Sequence, residues 1–245
     1  MGASLRWRVL LAAWARPLVA DPLALSLELR AAAGSSARAL RDDRRSRVLL
    51  LASPPAPLAT LAAGPWVMKR PVWRDGRWWN RLSSLLAAGE MRRSFAAGLR
   101  LLSLGIATPR PLLLLEGRRR GVLVESWLAY EFVTGRPVEE RHWSRVVATL
   151  RRLHQVGLRH GDPHLANWLA TDRDDVVMLD PAPRPLRRWC ADDAYDFVLL
   201  RNCAPAIQPL LPGVGTTGWR LAEARNAWVQ GWRRLKRSMR GVFHD

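Results

Sequence analysis

The sequence predicts an α+β chain of two lobes: a small antiparallel-sheet lobe with one main helix, then a mainly helical lobe. Short apolar runs of β type recur before residue 133, at Arg47 to Ala52, Trp66 to Arg70, Leu112 to Leu115 and Val122 to Val133. Past Pro137 the apolar spacing becomes helical, with Trp143, Val146, Val147, Leu150 and Leu153 on one face. A chain of 245 residues is long enough to bury a core in each lobe. The expected organisation is an N-terminal helical extension over residues 1–35, a first lobe over 36–133 and a second over 134–245.

Composition narrows the class. The hydrophobic fraction of 49% and charged fraction of 24% are those of a soluble globular protein. A formal charge of +18 favours anionic partners, but Lys69 and Lys236 are the only lysines among 39 basic residues. So one-sided a use of arginine points partly to coding bias. An anionic membrane surface is an expected partner. Nucleic acid is not, because no nucleic-acid motif accompanies the charge. Cys190 and Cys203 form no C-x-x-C pair, which fits a reducing, cytoplasmic setting. The apolar run Val9 to Ala15 is stopped by Arg16-Pro17, too early to span a bilayer, and no transmembrane helix is expected.

In chain order, residues 1 to about 35 are rich in Ala, Leu and Arg and read as one or two short helices ending near Gly34-Ser35-Ser36. Strands follow at Arg47 to Ala52 and Trp66 to Arg70, joined by a Pro/Ala-rich connection from Pro54 to Gly64. Lys69 stands out: a lysine in an apolar strand of an arginine-rich chain suggests a site that needs a compact ammonium. No G-x-G-x-x-G precedes it, and the turn Asp42 to Ser46 occupies that place. Trp78 to Leu104 reads as helical, with Glu90 its one acid. Glu90 either pairs with Lys69 or, if Ala88-Gly89 breaks the helix, is an N-terminal helix acid. The strand Val122 to Val133 ends in Tyr130-Glu131, a natural boundary between lobes.

The helix from Trp143 delivers the chain to His160-Gly161-Asp162-Pro163-His164-Leu165-Ala166-Asn167, with His154 on it read as a packed structural histidine. Asp162 and Asn167 stand at the spacing of the loop H-R-D-x-x-x-x-N, in which the Asp is a base and the Asn a magnesium ligand. Trp168 to Ala170 and Val176 to Leu179 flank a polar turn and read as a hairpin that returns Asp180 to Asn167. Two oxygen ligands meeting this way suit Mg²⁺, which keeps waters and phosphate oxygens as its other ligands. The chemistry indicated is phosphoryl transfer. Beyond Asp180, residues 181 to 197 hold no Ser or Thr and several arginines, so this stretch faces an anionic substrate more readily than it serves as a phosphorylated switch. The final helix, Trp219 to Arg240, has a basic face that is either solvated or laid on anionic headgroups.

Gly161-Asp162-Pro163-His164 with Asn167, Lys69, Gly105-Ile-Ala-Thr-Pro-Arg-Pro, Tyr130-Glu131 and Leu179-Asp180 together resemble the lipopolysaccharide core kinases, the bacterial heptose and Kdo kinases of the protein-kinase-like superfamily. The resemblance covers about residues 40 to 200. It implies a protein-kinase-like fold, ATP and Mg²⁺ as cofactors, and transfer of the γ-phosphate to a sugar hydroxyl of the inner core, peripheral to the inner face of the inner membrane. It implies Asp162 as catalytic base, Asn167 and Asp180 as metal ligands, Lys69 as orienting the phosphates, and Glu131 as marking the hinge. His164 would donate a hydrogen bond to the transferring group or, alternatively, only stabilise the turn. Alternative readings are a kinase for a soluble small molecule, as among aminoglycoside kinases, and a pseudokinase scaffold. Asp180 is followed by Pro-Ala where protein kinases have Phe-Gly.

Overall fold

Apolar strands dominate the first half of the chain, and in a computed structural model they assemble into one antiparallel sheet. The structure describes residues 5–35, 37–42, 46–52, 64–72, 89–180 and 183–242. The chain divides into two compact units, Met1–Thr134 and Gly135–Asp245.

In the first unit β1 (Arg6–Leu11), β2 (Arg38–Asp42), β3 (Ser46–Leu51), β4 (Trp66–Pro71), β5 (Pro111–Arg119) and β6 (Val122–Glu131) form a six-stranded sheet in the order β1-β5-β6-β4-β3-β2. Leu112, Leu113, Leu114 and Leu115 of β5 are all fully buried. Successive strand side chains point to opposite faces, so four buried in a row require cover on both faces. Helix α1 (Pro22–Ser35) packs on β1 and β3, and helix α2 (Glu90–Ser103) on β4, β5 and β6. Arg120 and Gly121, with φ of 50° and 81°, make the two-residue turn between β5 and β6, the mirror-image type whose twist matches a hairpin. Helix α2 stops where Gly105 takes a φ of 67°: the Ile106 N–H reaches the Leu101 carbonyl and the Gly105 N–H that of Leu102, both at 2.9 Å.

The structure corrects one expectation here. Helix holds for the N-terminal extension only from Arg16, as a 3-10 turn over Arg16–Leu18 and then α1, because Arg6–Leu11 is an edge strand with Arg6 opposite Arg118 and Leu11 opposite Leu113. Intrinsic propensity favours helix in an Ala/Leu/Arg-rich segment; an available strand edge on β5 outweighs it. The sequence-predicted helical region from Trp78 is described from α2 onward. Its earlier part, the Pro54 to Gly64 connection before Gly64, and the tip of the Asp42 to Ser46 turn lie outside the described residues.

The second unit carries β7 (Arg136–Pro137), α3 (Trp143–Gln155), β8 (Leu158–Arg159), β9 (Trp168–Ala170), β10 (Val176–Met178), β11 (Arg184–Pro185), α4 (Asp192–Cys203) and α5 (Thr217–Val242). The expected combination of an antiparallel sheet in the first part and a mainly helical second part is thus what the chain adopts. Val146, Leu150 and Leu153 of α3, Val198 and Leu200 of α4, and Trp219 and Ala222 of α5 are buried, following the helical periodicity. β9 and β10 form the expected hairpin, joined by β7 into a three-stranded sheet. Its turn is clamped by the buried His142: Nδ1 accepts from the Glu139 N–H at 2.9 Å, and Nε2 lies 3.2 Å from Asp174 Oδ1. Asp174 also takes Arg136 at 3.1 Å. The hydrogen bond from His142 holds the Asp174 carboxyl below the usual carboxylate range.

Candidate active site

The loop between β8 and β9 hangs on a buried carboxylate. Asp196, fully buried on α4, accepts the His160 N–H at Oδ2 (2.7 Å) and the Gly161 N–H at Oδ1 (2.9 Å), and its Oδ2 lies 3.1 Å from His154 Nε2. Two backbone donors and an imidazole therefore satisfy one acid, which makes its burial tolerable. They also fix the turn at Gly161, whose φ of 83° suits glycine. His154 is the packed histidine expected, edge-on to Phe197 at 5.1 Å.

His160 is buried against Trp168 and accepts the Asp162 N–H on Nδ1 at 3.3 Å. Burial pushes its imidazole below the ordinary histidine range, against the opposing pull of Asp196 and Asp162. The neutral ring is the form that accepts a hydrogen bond, so pKa and geometry agree.

Beyond His160 the backbone turns on the Asp162 carbonyl, which accepts the His164 N–H at 2.8 Å and Asn167 Nδ2 at 2.9 Å. Asn167 has then committed its amide nitrogen, and its amide oxygen is what it can offer a cation. The Asn167 carbonyl accepts the Leu179 N–H at 2.7 Å, extending the ladder in which Trp168 faces Met178. That bond brings the residue before Asp180 against Asn167, the juxtaposition the hairpin pattern predicts. Asp180 is exposed with a φ of 47°, a left-handed conformation that aspartate adopts more readily than most residues. The Asp162 side chain is exposed. His164, also exposed, accepts the Ala166 N–H on Nδ1 at 3.2 Å, which caps the turn Leu165–Asn167 and puts its ring proton on Nε2.

The other predicted residues belong to the first unit. Lys69 is buried on β4 opposite Leu128, and Glu131 ends β6 opposite Trp66. Glu131 binds Arg110, with Nε donating to Oε1 at 2.9 Å, and Arg110 lies over the Trp14 ring at 4.0 Å. The N–H groups of Glu131 and Phe132 donate to the carbonyls of Arg110 and Pro65, each at 3.0 Å. Glu90 is exposed in the first turn of α2 behind Gly89, the position of an N-terminal helix acid. No ion pair joins it to Lys69 among the described residues.

Two acids carry more of the local architecture than the sequence reading gave them. Asp196 is one, and an acid between Tyr195 and Phe197-Val198 in a buried helix was the available signal. Asp192 is the other. Fully buried, it accepts the Arg187 N–H and Nε at 3.0 and 3.1 Å and Arg225 Nη1 at 2.7 Å, with Arg159 Nε 3.3 Å away. Burial pushes its carboxyl up, and the hydrogen bonds from Arg225 and Arg187 outweigh that and hold it below the usual range.

The fold and the loop define a class: an α+β protein of two units whose helical unit sets an aspartate, an asparagine and a returning hairpin aspartate on one buried scaffold. No protein-family model and no curated protein matches the chain. Among solved structures it is similar to WaaP in complex with acyl carrier protein, at 16% identity over 96% of this chain and 95% of that one, with a TM-score of 0.46. It is also similar to WbdD, at 15% identity over 66% of this chain and 36% of that one, TM-score 0.44. In a further structure, of the bifunctional kinase-methyltransferase WbdD, the figures are 15%, 73%, 46% and 0.42. The chain spans less than half the length of the WbdD chains it matches.

Proposed function

We propose that this protein is an ATP-dependent kinase that transfers the γ-phosphate to a sugar hydroxyl of the lipopolysaccharide inner core, on heptose or Kdo, at the cytoplasmic face of the inner membrane. The observation that carries the phosphoryl-transfer part is the pinning of Asn167 between the Asp162 carbonyl and the Leu179 N–H, at 2.9 and 2.7 Å. The acceptor class rests on the sequence resemblance.

In this reading the Asp162 carboxylate orients the acceptor hydroxyl and takes its proton. Its backbone is held on both sides, by His160 and by Asn167, which fixes the place in the loop from which the carboxylate projects. The Asn167 amide oxygen and the Asp180 carboxylate are hard oxygen donors of the kind Mg²⁺ takes, and these two residues would hold it. When bound, Mg²⁺ neutralises charge on the phosphate oxygens. His164 retains an Nε2–H, a donor for an anionic oxygen, while Nδ1 stabilises the turn. Lys69 and Glu131 keep the nucleotide roles that the resemblance gives them, and Glu90 enters this reading only as the expected partner of Lys69.

The test is transfer of label from γ-labelled ATP with Mg²⁺ to dephosphorylated core lipopolysaccharide. Asp162→Ala is expected to lower the rate by at least about a hundredfold, the usual scale for losing a general base, with an unchanged melting curve. Undiminished transfer by that variant would refute the mechanism. Label entering only a soluble small molecule would keep the mechanism and replace the acceptor.

A further inference from the structure

The last helix leaves one of its faces uncovered, and that face has a composition of its own. Helix α5 buries Trp219 and Ala222 against α4, where Arg201 lies over the Trp219 ring at 5.2 Å and pairs with Glu223 at 2.6 Å. On another side Leu221, Trp228, Trp232 and Leu235 are 57%, 71%, 47% and 49% exposed. Their spacings of seven, four and three residues align them in one stripe; of the residues that share it, Ala224 and Gly231 are small and uncharged, and Arg225 is turned aside to Asp192. Arg220 and Lys236 border it, with Arg233 and Arg234 further round the helix, all of them exposed, and Lys236 Nζ sits 5.2 Å from the Trp232 ring centre. Glu223 is the only acid of the helix, and Arg201 already holds it.

A second feature adjoins the first through Arg225. This side chain donates from Nη1 to Asp192 Oδ1 at 2.7 Å and to the Cys190 carbonyl at 3.4 Å, and its guanidinium covers the Tyr195 ring at 4.0 Å. It thereby ties to α5 the turn that presents Trp189, which is 82% exposed and flanked by Arg187 and Arg188. Exposed tryptophans are costly in water, and a turn anchored on a buried carboxylate holds this one in place.

We infer that the α5 stripe, together with Trp189, is a docking face for an anionic phospholipid bilayer, on which the helix lies in the plane of the headgroups. The occupant follows from the layout. Indole rings favour the boundary between headgroups and acyl chains, Leu221 and Leu235 supply the apolar depth, and bordering Arg and Lys reach the phosphates. Nucleic acid could stack bases on the tryptophans, but it would also call for free cations along the stripe, where Arg225 is instead tied to Asp192, and it has no use for the aliphatic Leu221 and Leu235. No helix of the described residues is long and apolar enough to cross a membrane, so attachment at this face is interfacial. The inference gives the membrane attachment of the proposed function a surface, and to that extent rests on it.

Flotation of the full chain with vesicles tests it, comparing equal parts phosphatidylglycerol and phosphatidylcholine with phosphatidylcholine alone. Binding is expected to the anionic vesicles, and to weaken by at least about tenfold in Trp228→Gln/Trp232→Gln, which removes two large interfacial rings. Trp189→Gln is expected to weaken it less. Because these side chains are exposed, melting curves should stay at the wild-type midpoint. Asp162→Ala, altered only in the transfer site, should float like wild type. Absence of wild-type binding to anionic vesicles, or equal binding by the double variant, would overturn the inference. So would conversion of a wild-type dimer to a monomer by the double variant without loss of flotation, since the stripe would then be an interface between copies. Absence of wild-type vesicle binding alongside intact phosphate transfer to core sugar would discard this face and leave the kinase reading standing; wild-type vesicle binding without any transfer would do the opposite.

Discussion

At the scale of single residues the site depends on one acid buried on purpose. Asp196 receives two backbone N–H groups and an imidazole, so Asp196→Asn would put an amide N–H where His160, Gly161 or His154 already donates. A loss of about 1–3 kcal/mol is expected, the scale of an unsatisfied buried donor, read by urea unfolding. Transfer activity should fall with it. His160 gives a pH signature. Its folded pKa lies below the ordinary value of 6.5, so between the two the unfolded chain binds more protons and stability rises with pH. The contribution is complete above the unfolded value and is lost as pH falls through it toward the folded one. Urea midpoints of wild type are expected to drop on going from about pH 8 to about pH 5, and those of His160→Gln to drop less; parallel curves would show that His160 does not carry the dependence.

At the scale of elements, legibility in the sequence followed how local the determining forces are. The β9–β10 hairpin was readable because its two apolar runs and polar turn are contiguous, and α3 because its period repeats over three turns. The juxtaposition of Asn167 with Leu179-Asp180 followed from that hairpin. β1 was not readable: its strand character comes from pairing with β5, more than a hundred residues away in sequence. The role of Asp196 was hidden for the same reason, since its donors lie 35 and 36 residues upstream. The α2 packing yields a prediction of this kind. A Cβ on Gly98 would sit 2.6 Å from Pro111 Cγ, and neither a proline ring in a buried strand nor a packed helix yields cheaply. Gly98→Ala is expected to destabilise by about 1–3 kcal/mol despite the better helix propensity of alanine, and a stabilised variant would show that α2 can shift on the sheet.

At the scale of the whole molecule, a net charge of +18 and the local stripe on α5 make separable contributions to attachment at an anionic surface. Several acids are already committed within the fold, Asp192 to Arg187 and Arg225, Glu125 to Arg30, Glu131 to Arg110 and Glu223 to Arg201, which leaves the excess arginines to set the outward field. That field is long-range and therefore screened, over about 10 Å at 0.1 M salt and about 3 Å at 1 M. Contact of tryptophan rings with the acyl boundary is short-range and survives salt. Raising salt from about 0.1 M to about 1 M should therefore weaken wild-type vesicle binding markedly yet leave a residue of it, while Trp228→Gln/Trp232→Gln should lose essentially all of its binding over the same range. Equal fractional loss in both proteins would mean that charge alone holds the chain to the surface. Complete insensitivity of the wild type would mean that the arginine excess has no part in attachment and reflects the coding of the chain.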